Sequence, residues 1–277
     1  MNLSFDHGFM GMKASNKSTF IELASNGYVV CSIDHPYSSL YTVYDSGHVT
    51  TLDRAYLQEY MDVSQGKYDE LTIIRFQQKW MGYRIADINF VLDTILTKAK
   101  DPSSSAVYQM IDPEKIGLIG HSMGGESVAQ VARERTDIGA VINLDADLAG
   151  EYVDYINGRP VFNDRPYPVP LLTIETDTLA RGIDAVPDAN NIIALNHVNA
   201  ATSTAYLVHL PGTDHMSVTD VPLSMPVLVS IIGASVPSAV GQEESPLATI
   251  EKMNTLVLEF FNTYLKGDGN FTAPESD

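Results

Sequence analysis

The sequence predicts an α/β fold in which a mostly parallel central sheet is covered by helices on both faces. Three observations carry that prediction. Short apolar runs recur along the 277 residues, at Leu3 to Phe5, Tyr28 to Ile33, Ile116 to Ile119, Ala140 to Leu144, Leu171 to Ile174 and Ala205 to Leu210. Such runs suit strands buried on both faces. Most are separated by stretches long enough for a crossover helix, which parallel neighbours require. One run, Ile116 to Ile119, leads directly into Gly120-His121-Ser122-Met123-Gly124-Gly125 and then into a helical pattern through Val128, Ala129, Val131 and Ala132.

Three helices are legible between the strands. Ser18 to Ser25 forms a short one closed by Asn26-Gly27. From Asp69 to Lys98, Ile73, Phe76, Trp80, Tyr83, Ile88, Val91, Leu92 and Ile95 fall at mixed spacings of three and four, with Gly82 a candidate break. From Leu247 to Leu265, Ile250, Met253, Leu256, Val257, Phe260, Phe261 and Tyr264 make one apolar side, and Gly267 ends the helix. With no internal repeat or Gly/Ser linker, one domain over residues 1–266 is expected, followed by a solvated acidic tail, 267–277.

Composition excludes several classes of function. Lys and Arg total 17 against 35 Asp and Glu, a formal charge of −18, which repels phosphate backbones and anionic membranes. Nucleic acid is therefore not an expected partner. Cys31 is the only cysteine, so no internal disulfide forms, and its apolar run makes it a buried strand residue. No basic segment followed by an apolar one opens the chain, and the compartment stays unassigned. The uncharged stretch from Val221 to Gln242 is broken by Pro222, Pro226 and Pro237, so it reads as core packing or a substrate wall, or else as an interfacial patch, rather than a span. No His-Glu-x-x-His or similar metal-ligand spacing occurs, and neither metal nor cofactor is expected.

The strand, Gly-x-Ser-x-Gly turn and helix form a nucleophile elbow. Gly120 and Gly124 remove side chains that would collide in so tight a turn, and the helix N-terminus favours negative charge nearby. A serine hydroxyl needs a base to take its proton. His215 fits best, because it lies in the loop Leu210-Pro211-Gly212-Thr213-Asp214-His215 directly after the last strand. An oxyanion needs backbone donors, one from Met123, the residue after the nucleophile, and one from a loop after an early strand. Asp6-His7-Gly8-Phe9-Met10-Gly11 supplies that loop and points to Phe9. For the acid that orients the imidazole, two strand ends offer Asp145 or Asp147, and Asp177. Spacing alone does not choose among them.

Phe5-Asp6-His7-Gly8-Phe9, Leu23-Ala24-Ser25-Asn26-Gly27-Tyr28-Val29-Val30, Ile33-Asp34-His35-Pro36, Ile111-Asp112-Pro113-Glu114-Lys115-Ile116 and the Gly-His-Ser-Met-Gly-Gly elbow stand in order. Together they resemble the plasma-type platelet-activating-factor acetylhydrolase family and its bacterial esterase relatives, within the α/β-hydrolase superfamily. The resemblance runs over most of residues 3–148 and resumes near His215. It implies a serine-dependent carboxylic ester hydrolase, acting on short-chain or lipid-like esters, with Ser122, His215 and Asp145 as triad and Phe9 and Met123 as oxyanion donors. Asp145 is favoured because Leu144-Asp145-Ala146 matches the family's acid segment. Cutinase-like hydrolases place the acid one strand later, which favours Asp177 and a polyester or cutin-type hydrolase. An acyltransferase differs only in what resolves the acyl-enzyme. The reading from another class is a non-catalytic α/β-hydrolase module that binds a partner.

Relatives carry one or more strands before the His-Gly loop, whereas this chain reaches that loop by residue 7. The N-terminal edge strands of the sheet are thus expected to be missing or shortened. That places Leu3 to Phe5 near an open sheet edge, where a second copy of the chain could pair as a homodimer. The segment from Tyr152 to Pro170 has no counterpart and is a candidate wall of the substrate pocket.

Overall fold

In the computed structural model, residues 2–180, 198, 202, 204–225 and 245–274 are described. In chain order the elements are β1 (Asn2–Asp6), α1 (Lys17–Ser25), β2 (Val29–Ile33), β3 (Tyr41–Val43), β4 (Val49–Thr51), α2 (Arg54–Ser64), α3 (Glu70–Lys100), α4 (Ala106–Gln109) and β5 (Ile116–His121). There follow α5 (Met123–Glu134), β6 (Ile138–Leu144), β7 (Tyr152–Ile156), β8 (Arg159–Phe162), β9 (Leu171–Thr176), β10 (Ala205–Leu210), α6 (Val221–Ser224) and α7 (Pro246–Phe261). Six strands form one parallel sheet in the order β10-β9-β6-β5-β1-β2. This is the α/β-hydrolase fold that the sequence predicts.

Adjacent residues of each central strand point to opposite faces, so consecutive apolar residues feed two cores. Phe5, Ile119, Ile142 and Leu172 join Met253, Val257, Phe260 and Phe261 of α7 on one face. Leu118, Val141 and Leu171 join Ile88 and Leu92 of α3 and Val128, Val131 and Ala132 of α5 on the other. The uninterrupted apolar runs are thus a direct consequence of helices on both sides. Helix starts follow local capping: Asp53, Asp69 and Ser245 each accept the backbone N–H three residues on.

Several expectations are corrected. The first strand lies near an edge, as expected, but does not form it: Asn2–Asp6 sits between β5 and β2, pairing Asp6 with both Gly120 and Ile33. Among the described residues the edge on this side is β2, with β10 at the other, and the first four residues of β2 are half-buried, Cys31 included. Gly82 does not divide the long helix, because α3 runs unbroken over 31 residues and a side chain at Gly82 would meet only open space. One isolated helical glycine costs only about 1 kcal/mol against alanine, which the packed face of α3 offsets. Within the segment expected as a pocket wall, residues 152–162 form a two-stranded antiparallel hairpin separate from the main sheet. Of the proline-interrupted stretch, Val221–Ser224 is a short helix with Pro222 buried, and residues 226–244 lie outside the described residues.

The tail is not simply solvated either. After α7 a π-helical turn, Asn262–Lys266, ends at Gly267 with φ of 74°. Phe271 then folds back with 7% of its surface exposed, edge-on to Tyr206 and Phe260. Its acidic neighbours hid an apolar anchor. Phe271→Ala should lower the unfolding free energy by about 3 kcal/mol in urea titration, the usual cost of removing a buried phenyl group. A change below about 1 kcal/mol would show that the tail does not contribute to the core.

Candidate active site

The carboxyl ends of β1, β5, β6 and β9 meet at one side of the sheet, where ligand sites of open α/β sheets form. At the end of β5 the chain turns sharply into α5. Ser122 carries the turn with φ of 55° and ψ of −132°, outside the ordinary regions for a residue with a side chain. Such a conformation costs on the order of 1–3 kcal/mol. Its backbone N–H donates to Leu144 O at 2.9 Å, and its carbonyl accepts from Gly125 N–H at 2.7 Å. A Cβ added at Gly120 would lie 2.4 Å from the Gly124 carbonyl, and one at Gly124 would lie 2.3 Å from Asp6 O. Only glycines permit this approach of α5 to β5 and β1.

The three candidate acids separate clearly. Asp145, just past β6, accepts from His215 Nδ1 at 2.6 Å and from Thr176 N–H at 2.6 Å. Burial alone would raise its pKa; His215 and the Thr176 donor outweigh that and lower it. Asp177 instead pairs with His209 Nε2 at 2.8 Å. Asp147 hydrogen-bonds Glu126, whose pKa is raised well above the usual range by burial and then by the Asp147 charge. The structure therefore brings Asp145, and neither alternative, to His215. The donated Nδ1–H leaves Nε2 as the lone-pair nitrogen of the neutral ring.

His215 sits in a turn whose Asp214 carboxylate accepts from the N–H groups of Met216 and Ser217. Beneath it, His121 donates Nε2–H to His215 O at 2.9 Å, with ring centroids 4.5 Å apart. Burial, then the proximity of His215, lowers the His121 pKa to about 3, so this ring is neutral. The sequence marked His121 only as part of the elbow.

The loop after β1 runs against the Ser122 turn. A Cβ on Gly8 would lie 3.0 Å from both Ser122 Cβ and His121 Nδ1. The Phe9 ring stacks on Tyr60 at 4.0 Å and meets Tyr56 edge-on at 4.8 Å. Tyr56 in turn stacks on Trp80 at 3.5 Å and donates its hydroxyl to Met123 Sδ at 3.0 Å. Both side chains of the expected oxyanion pair thus join an aromatic cluster built by α2, α3 and the 152–162 hairpin.

Below the same loop lies a buried ionic network that sequence reading missed. Asp6 Oδ1 accepts from Arg84 Nη1 at 2.8 Å and from His35 Nε2 at 2.9 Å, and His35 Nδ1 donates to Asp87 at 2.8 Å. Burial disfavours the His35 charge, yet Asp6 and Asp87 overcome it and raise the pKa. His7, by contrast, falls to about 3 through burial and the Arg84 charge. Asp6, His7 and His35 lie in segments that carry the family resemblance, but Arg84 and Asp87 have no motif around them, and α3 contributes Arg84 from 77 positions after His7.

Comparison with known proteins follows the same lines. The family described as platelet-activating factor acetylhydrolase, isoform II, has a model that matches residues 3–277. Lipase 1 of Moraxella sp. (strain TA144) is 37% identical over 83 residues, 24% of this chain and 26% of that protein. Cutinase est2 of Thermobifida alba is 31% identical over 135 residues, 48% of this chain and 38% of that protein. The matched segments thus span only about a quarter to two fifths of these relatives. A ferulic acid esterase structure from Streptomyces cinnamoneus superposes with a TM-score of 0.69 over 99% of this chain and 71% of that one, at 21% identity, a likeness of fold.

The buried histidines set a pH dependence of stability. Below about pH 6.5 the unfolded chain protonates His7 and His121 whereas the folded chain does not until about 3, so stability falls with falling pH. Each histidine contributes a slope of about 1.4 kcal/mol per pH unit, and protonated Glu126 offsets one of them above the ordinary carboxylate range. His35 works oppositely: its contribution is complete below about pH 6.5 and is lost as pH rises through its raised folded value. Urea midpoints should peak near pH 6.5, and a midpoint still climbing from pH 6.5 to 9 would contradict this assignment.

Proposed function

Because the chain belongs to the platelet-activating factor acetylhydrolase, isoform II, family, we propose that it hydrolyses carboxylic esters through a serine acyl-enzyme, acting on short-chain or lipid-like substrates. The observation that carries this reading is the His215 Nδ1 to Asp145 contact of 2.6 Å beside the strained Ser122 turn. In the first half-reaction Ser122 Oγ attacks the ester carbonyl while His215 Nε2 takes its proton. The tetrahedral oxyanion is stabilised by the backbone N–H groups of Phe9 and Met123, and the alcohol leaves with the proton from His215. In the second, water attacks the acyl-enzyme with His215 again as base, which releases the acid and restores Ser122. Asp145 holds the tautomer and stabilises the imidazolium. Every atom in this cycle comes from the ester, water and protein, so the scheme uses no cofactor.

The cutinase relatives favour a second reading, a cutin-type polyester hydrolase with the same residues. Release of soluble acids from an aromatic polyester film would support it, and turnover confined to soluble esters would remove it. A homodimer through this side of the sheet, as anticipated for Leu3 to Phe5, would have to pair through Val29–Ile33, the outer strand there.

Ser122→Ala should abolish fluorophosphonate labelling and lower kcat by about 10⁶-fold, with an unchanged circular dichroism spectrum. Asp145→Asn should lower kcat about 10⁴-fold while the protein stays folded, and Asp177→Asn should leave activity within about tenfold of wild type. If the Asp177 variant lost more than the Asp145 variant, the assignment of the acid would be overturned.

A further inference from the structure

The buried arginine under the loop after β1 has no part in the reaction scheme above, yet its contacts are concentrated on that loop. Arg84 is 1% exposed. Burying a guanidinium costs several kcal/mol unless its donors are matched, so the identity of its acceptors matters. Nη1 donates to Asp6 Oδ1 at 2.8 Å and to His7 O at 2.6 Å. Nη2 donates to Gly8 O at 3.2 Å and to Ser38 Oγ at 3.0 Å. Two of the four acceptors are consecutive main-chain carbonyls immediately before Phe9.

That pairing has a geometric consequence. The Gly8 carbonyl and the Phe9 N–H belong to one planar trans peptide, in which C=O and N–H point in opposite directions. Whatever fixes the carbonyl therefore aims the amide. Gly8 O is held by Arg84 Nη2, by His7 Nδ1 at 2.7 Å and by Gly11 N–H at 3.0 Å. His7 is itself fixed by Ser39, whose hydroxyl reaches Nε2 at 2.8 Å. Asp6 and Asp87 balance the two positive charges of Arg84 and His35, so the clamp is electrically closed.

From this geometry we infer that Arg84 is the positioning residue of the oxyanion site: it fixes the His7 and Gly8 carbonyls and thereby aims the Phe9 N–H at the developing charge. The inference rests on the ester-hydrolase reading and on Phe9 as a donor. Arg84 touches neither substrate nor reacting atoms. Lysine carries the same charge without the planar fork, so it cannot span both carbonyls and Asp6 in one geometry.

The test uses the full chain, a soluble p-nitrophenyl ester, and two competitive inhibitors of the same acyl length. One is a trifluoromethyl ketone, which forms a tetrahedral oxyanion on serine, and the other is an ether that forms none. Fluorophosphonate titration counts competent sites, so kcat is expressed per titrated serine. For Arg84→Lys, kcat per site should fall about 10²-fold, the effect of losing one oxyanion donor, and the ketone Ki should rise by the same factor. KM and the ether Ki should stay within about twofold. A residue needed only for folding would lower the titrated fraction and leave kcat per site and the ketone Ki unchanged, which overturns the inference. Should Arg84→Lys yield no titratable serine, Ser38→Ala decides: loss of one guanidinium anchor should lower kcat per site and ketone affinity together by about threefold or more, and a smaller change overturns the inference. If wild type neither turns over the ester nor binds the ketone, the hydrolase reading falls and this inference with it. If wild type does both and the variants match it, only the role of Arg84 falls.

Discussion

At the top of the sheet the first turn of α5 is pressed onto the ends of β5 and β1, and the spacing leaves no room for a side chain at Gly120 or Gly124. That contact determines where everything else stands. It forces Ser122 to a positive φ, and it sets the Asp6 carbonyl against the helix start. The loop leaving β1 must then pass beside Ser122, because Asp6 pairs in register with Gly120 on one side and Ile33 on the other. Backbone strain of this kind persists only where its surroundings determine it more than once. Here the Ser122 N–H is held by Leu144, the Ser122 carbonyl by two helical N–H groups, and the flanking glycines by the close packing itself.

Electrostatics beneath the turn serve the same arrangement. A carboxylate in the first turn of a helix normally neutralises the positive end of the helix dipole. Glu126 occupies such a position on α5, but burial and its Asp147 neighbour raise its pKa well above the usual carboxylate range and so oppose its charge. The positive end of α5 is therefore left for negative charge that develops at Ser122, as the proposed mechanism requires. Charge is placed below the preceding loop instead, where Arg84 and His35 are balanced by Asp6 and Asp87. The chain carries a formal charge of −18, yet Ser122 stands near a carboxyl group whose ionisation is disfavoured and a closed ion network.

What could be read in advance follows the range of the signal. Ser122 and the glycines around it declare themselves within six residues, because the steric demand of the turn is local. The placement of His215 in the loop after the last strand, and of Phe9 in the glycine loop after the first, is legible because both depend only on element order. Strand order was not: whether Asn2–Asp6 lies inside the sheet or at its edge depends on which strand pairs on its far side, and Val29–Ile33 looked equally apolar. Arg84 lies in the middle of α3, where an arginine ordinarily faces water, and only its three-dimensional neighbours reveal otherwise. Phe271 escaped notice for the opposite reason, as one apolar residue in a short polar tail carries no periodicity to detect.

The choice of acid shows most clearly what distance adds to pattern. Two histidine–carboxylate pairs stand side by side, His215 with Asp145 and His209 with Asp177, at 2.6 and 2.8 Å. Contact length alone separates them little. Burial does: the Asp145 side chain is 1% exposed and that of Asp177 is 14% exposed. A carboxylate removed from water interacts more strongly with an imidazolium, and the Thr176 N–H holds its second oxygen so that it cannot turn away. The 177–178 segment has a different relation to His215. Asp177 N–H donates to Thr213 O and Thr178 Oγ1 accepts from His215 N–H, so this end of β9 braces the histidine loop through its main chain and a neighbouring hydroxyl. Those bonds survive replacement of the Asp177 carboxylate. The residue that cutinase-like placement favours is thereby next to the histidine and supports its loop, while the imidazole itself is oriented from β6.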